Sequence, residues 1–109
     1  KSLKVNFEAY FSEFNEYPTT STGGITLTQG QFPGISGLSF YSSNGVTVWF
    51  ESNPSVFIGY AWHENGYKTF GINQKSQKIY FAPNTNLPLG TLEDNLVINQ
   101  VWQDPWNPI

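Results

Sequence analysis

The chain has 109 residues, no cysteine and no methionine, a net charge of -3 and only 12% charged residues, against roughly 25% in an average domain. That length fits one domain, 1–109, large enough to bury a core without disulfide staples. All five cations are lysine, too few and too mild for the basic footprint that phosphate backbones demand, which excludes nucleic acid as a partner.

No apolar run reaches the roughly 18 residues of a transmembrane segment. The missing initiator methionine marks Lys1 as a processed or excised start, and the compartment stays open, with secretion weakly favoured. The polar surface comes from Ser, Thr, Asn and Gln, about a third of the chain, and aromatic residues reach 17%.

Read from the N-terminus, the hydrophobic period is two almost throughout. In "LKVNFEAYF", Leu3, Val5, Phe7, Ala9 and Phe11 alternate with polar neighbours, interrupted by Tyr10, and this predicts a first strand. "ITLTQ" repeats the pattern with Ile25 and Leu27. "LSFYS" and "VTVWF" flank Asn44-Gly45, and "VFIGYAW" and "YKTFGI" flank Asn65-Gly66. Asn-Gly is the strongest short hairpin signal because both turn residues tolerate positive φ, so two hairpins with left-handed Gly45 and Gly66 are expected. "KIYFA" and "LVINQVW" bring the total to about eight strands.

Gly- and Pro-rich stretches separate these strands, and only "TLEDN", with Thr91 as N-cap, suggests a helical turn. The expected fold is therefore all-β: a compact antiparallel sandwich, with a small barrel as the alternative.

The chemistry-bearing residues are sparse. His63 is the one histidine, there is no thiol to activate, and no serine stands in a Gly-x-Ser-x-Gly elbow. A glycosidase pair would need two acids about 5–10 Å apart, and Glu51 and Glu64 qualify only if their hairpins are neighbours. The chain is read as a non-enzyme. No cofactor is required, although "LEDN" (Glu93, Asp94, Asn95) and "QDPWN" (Asp104, Asn107) are oxygen-rich enough to be calcium candidates.

Aromatic rings carry the strongest signal. Sugar rings present apolar C–H faces that stack on indole and phenol, while their hydroxyls need amides and carboxylates nearby, the general recipe of a small-ligand site. Two stretches match it. One is the hairpin region Trp62, His63, Glu64, Asn65 and Tyr67. The other is the tail, with Trp102, Asp104, Trp106 and Asn107, where prolines keep Trp106 out of a central strand.

The expected function is non-catalytic glycan binding, as a lectin or carbohydrate-binding module. The alternatives are a structural or homo-oligomerising interaction module and a toxin-like defence protein with aromatic membrane-contact loops.

Overall fold

The structure, a computed structural model, describes residues 2–83, 91–92, 102 and 106–109. It is mostly β. Among the described residues, helix α1 (Ser2–Phe14) precedes six strands: β1 (Ile25–Leu27), β2 (Val46–Ser52), β3 (Phe57–His63), β4 (Lys68–Asn73), β5 (Tyr80–Pro83) and β6 (Asn107–Pro108). The strands form one antiparallel sheet whose spatial order is the chain order. A second sheet, as a sandwich requires, is not found among the described residues.

The first predicted strand is a helix, and the reason is instructive. Leu3, Phe7 and Phe11 are four residues apart, a spacing that lines one face of a strand and also one face of a helix. The two readings differ at Val5 and Ala9, which alternation would bury. Both are exposed, Val5 by 64%. Tyr10, the exception to alternation, packs against the core beside Phe11, as the i, i+3, i+4 pattern of an amphipathic helix demands. The helix stops at Asn15, which takes a left-handed φ of 58° while its N–H donates to the Phe11 carbonyl at 2.7 Å, the αL form of C-terminal cap.

Cross-strand partners share a face of the sheet, so the register divides the strands cleanly. Leu27, Val48, Phe50, Phe57, Ala61 and Ile72 point to one side, the helix face. There the Phe7 ring meets Phe57 at 4.6 Å and Phe50 at 5.3 Å, both edge-on. Leu3 lies against Gly59, where a Cβ would collide with it. Tyr17, Leu38 and Phe40 complete this core. The Tyr17 hydroxyl donates to the Glu8 carboxylate at 3.3 Å. Burial, reinforced by the Glu8 charge, raises the phenol pKa to about 12.

The predicted strand "LSFYS" does not pair with β2. Leu38 and Phe40 keep their alternation but use it to pack on the helix-face core. The segment's one ladder contact is an isolated parallel bridge from Ser42 to Gln29. Asn44-Gly45 is therefore no hairpin tip. The Val46 N–H bonds the Ser43 carbonyl at 3.0 Å with only Gly45 left-handed, at φ 76°, which is the type II rather than the primed arrangement.

The β3–β4 hairpin forms as expected, but through the four residues Glu64 to Tyr67. The Gly66 N–H donates to the His63 carbonyl at 2.9 Å, and Gly66 lies outside the left-handed region. Longer loops of this kind are built on ordinary turns, so the primed geometry is not needed. Of "TLEDN", Leu92 is helical, and residues 93–95 lie outside the described residues, as does most of "LVINQVW".

Candidate functional site

The other side of the sheet, the tail face, is aromatic. In β2, alternation sets Trp49 opposite to Val48 and Phe50. In β3 it places Tyr60 and Trp62 on the same side as Trp49, and in β5 it adds Tyr80. Trp102 and Trp106 pack onto these rings, with Ile58 beneath and Leu92 at the margin. All four tryptophans of the chain thus gather on one face.

Tyr60, 2% exposed, is the hub. It stacks on Trp49 at 5.5 Å and 24°, and on Trp106 at 5.6 Å and 29°. Trp102 stacks on Tyr80 at 5.2 Å and 15° and meets Trp106 edge-on at 4.9 Å. Such offset-stacked and edge-on pairs are favourable because of the ring quadrupole. Gly71 is what lets the tail approach. A Cβ there would stand 2.8 Å from the Trp102 ring and 3.1 Å from that of Trp106.

Hydrogen bonds fix the platform at both ends. The Trp102 indole N–H donates to Ser76 Oγ at 2.7 Å. That hydroxyl also accepts the Asn73 N–H at 3.1 Å and donates to Asn73 Oδ1 at 3.0 Å, and Asn73 Oδ1 takes the Lys75 N–H as well. At the other end Trp49 donates to the Gly23 carbonyl at 2.9 Å. The buried Glu51 carboxylate accepts the N–H of Gly23 at 3.2 Å with one oxygen and that of Leu92 at 2.9 Å with the other. Glu51 is thereby a structural tie.

Its supposed partner Glu64 lies at the opposite end of β3, since Glu51 pairs with Ile58 whereas the hairpin tip follows the Val46–His63 pair. At about 3.3 Å per residue, the six steps from Ile58 to Glu64 separate the two acids by about 20 Å. They form no glycosidase pair.

The structure brings Trp62 and Trp106 to the same face and leaves both half-buried. Among the described residues the Trp62 side chain makes no ring–ring contact and no hydrogen bond, and Trp62 pairs across the sheet with Thr47 and Thr69. Trp102, at 9% exposure, is support rather than platform. His63 is exposed, and its ring covers Gly45. His63 Nδ1 accepts the Asn65 N–H at 3.1 Å, so the neutral ring carries its proton on Nε2.

Glu64 and Asn65 are exposed at the hairpin tip, and Tyr67 is 89% exposed, outside both aromatic clusters. Asn107 lies in β6, paired with Phe81. Asp104, Glu93, Asp94 and Asn95 lie outside the described residues. No three His, Cys, Asp or Glu side chains converge on a metal-sized site among the described residues. Trp49 and Tyr80 were missed as site residues. The signal for Trp49 was present in "VTVWF", where alternation sets it against the valines.

Comparison of the chain with protein-family models, curated proteins and solved structures finds no match. Among the described residues no helix is long and apolar enough to cross a membrane.

Proposed function

We propose that the protein binds carbohydrate without catalysis, using the tail face as an aromatic platform. One observation carries the reading. Trp62 and Trp106, drawn from separate stretches of the sequence, lie half-exposed on one face around the buried Tyr60. A ring held by its neighbours loses little entropy on stacking against a sugar, so the platform is preorganised. Thr47 beside Trp62, and Glu64 and Asn65 at the adjoining hairpin tip, supply the hydroxyl, carboxylate and amide that a polyol needs.

A second reading, a protein-interaction or self-associating module, draws on the exposed Tyr67 and on Phe32 and Tyr41. The last two pair at 5.5 Å while 63% and 60% exposed.

The test is a glycan panel followed by calorimetry on Trp62→Ala and Trp106→Ala. Each substitution is expected to weaken binding by about 1–3 kcal/mol, the range seen for planar bases on aromatic rings. Far-ultraviolet circular dichroism should stay unchanged. Binding that both variants retain in full, or a wild type that takes no glycan, refutes the proposal. A change in sedimentation coefficient in Tyr67→Ser or Tyr41→Ser transfers the weight to the interaction reading.

A further inference from the structure

Among the described residues, the helix face is not closed along its whole length. Beside the start of α1, an open groove of about 340 Å³ runs over Val48, Ala61, Phe70 and Ile72, walled by Tyr41 and Ile79. A second groove, of about 410 Å³, adjoins it and shares Ile72 and Ile79. It lies between Lys4, Val5 and Glu8 of α1 and the β4–β5 turn at Ser76 and Lys78. Of the seven large apolar side chains exposed among the described residues, four line these two grooves: Val5, Tyr41, Phe70 and Ile109. That concentration is what an unfilled apolar site leaves on a surface.

Charge is distributed unevenly around it. Every described lysine lies on α1 or on the hairpin of β4 and β5: Lys4, Lys68, Lys75 and Lys78. Lys4 Nζ reaches the carbonyls of Ser76 and Asn73, the latter at 3.4 Å, across the second groove. Lys78 is exposed, and among the described residues its ammonium group has no hydrogen-bond or ion-pair partner. Glu8 is the one acid on either lining, and it already accepts the Tyr17 hydroxyl. Burial lowers the Lys4 pKa from its usual value, with Glu8 opposing. The combination is an apolar trough whose polar end carries two ammonium groups on a chain that is negative overall.

We infer that the two grooves form one site for a single-chain anionic amphiphile, a free fatty acid, with its hydrocarbon against Ala61, Phe70, Ile72 and Ile79 and its carboxylate toward Lys78 and Lys4. Mostly apolar lining with a few placed polar groups is the usual build of such pockets. Several hundred Å³ of trough matches one hydrocarbon chain rather than a two-chain lipid. The site lies on the opposite side of the sheet from the tryptophans and stands independently of glycan binding.

The experiment is calorimetric titration of the full chain with dodecanoate below its micelle concentration, in parallel with dodecanol and with phosphatidylglycerol vesicles. Saturable one-to-one dodecanoate binding is expected, about tenfold tighter than dodecanol. Lys78→Gln should lower dodecanoate affinity about fivefold and leave dodecanol unchanged. Ala61→Trp, which fills the trough, should abolish both, and Phe70→Glu at the partly exposed wall serves the same purpose if the first variant does not fold. Absence of saturable dodecanoate binding overturns the inference. So does binding indifferent to Lys78→Gln and to the trough variants, or affinity for vesicles alone.

Discussion

Removing one buried hydroxyl should loosen the whole tail face. Ser76 is 4% exposed and Asn73 1%. Ser76 Oγ takes part in three hydrogen bonds, two of which it accepts, from the Trp102 indole N–H and the Asn73 N–H. In Ser76→Ala both donors lose their partner. Asn73 Oδ1 keeps the Lys75 N–H, so its loss is slight. A buried donor without a partner costs about 1–3 kcal/mol. Two such donors give about 2–6 kcal/mol, and the lower half of that span, about 2–4 kcal/mol, is expected because the turn lies near solvent. Urea unfolding followed by circular dichroism measures it, with an unchanged m-value showing that the denatured state is the same. Ser55→Ala, an exposed control that keeps its backbone bond to Asn53, should stay within about 0.5 kcal/mol. Hydrogen exchange at the Trp102 indole should accelerate in Ser76→Ala alone. A loss below about 0.5 kcal/mol, with indole exchange unchanged, refutes the claim that this hydroxyl anchors the tail.

Two paired substitutions test the backbone. Gly45→Ala should destabilise by more than about 1 kcal/mol, because φ is 76° and the new Cβ would stand 2.5 Å from His63 Nε2. Gly66→Ala, free of that conformational demand and 3.3 Å from its nearest neighbours, should change stability by no more than about 0.5 kcal/mol. Phe7→Ala should cost about 3–5 kcal/mol as a fully buried ring. Val5→Lys should be nearly neutral, and a loss above about 2 kcal/mol there would restore the strand reading of the first segment.

The central strands were legible because they obey a single period. "VTVWF", "VFIGYAW" and "YKTFGI" are strands as alternation implies, and the last two pair as expected, whereas "VTVWF" pairs with "ITL" and "VFIGYAW" instead of "LSFYS". The N-terminal segment was not, because residues four apart satisfy both periods and only Tyr10 broke the tie. The two Asn-Gly pairs were over-read. One sits in a turn that leads from a packed, unpaired segment, and the other in a loop long enough to need no left-handed residue.

At the site, alternation in β3 sets Tyr60 and Trp62 on one face, with Tyr60 buried and Trp62 half-buried. What no local pattern carried was that Trp62 and Trp106, forty-four residues apart, would share one face. The seat of Trp106 there depends on Gly71 making room and on Ser76 holding Trp102. The grooves of the helix face were equally illegible, since they arise from where α1 leaves the sheet uncovered.

The meander order of the sheet also has a consequence for biosynthesis. Strands β2 to β5 each find a partner in the strand made just before, and α1, which precedes them, is on hand to cover the helix face as they emerge. The tail face has no such early cover. Trp49, Tyr60, Trp62 and Tyr80 emerge well before residues 102 and 106, so a nascent chain halted near Pro83 would present a bare aromatic surface to the cytosol or the translocation channel. Any holdase that attends this chain should therefore meet it on the face destined for the tryptophans, before residues 102 and 106 emerge.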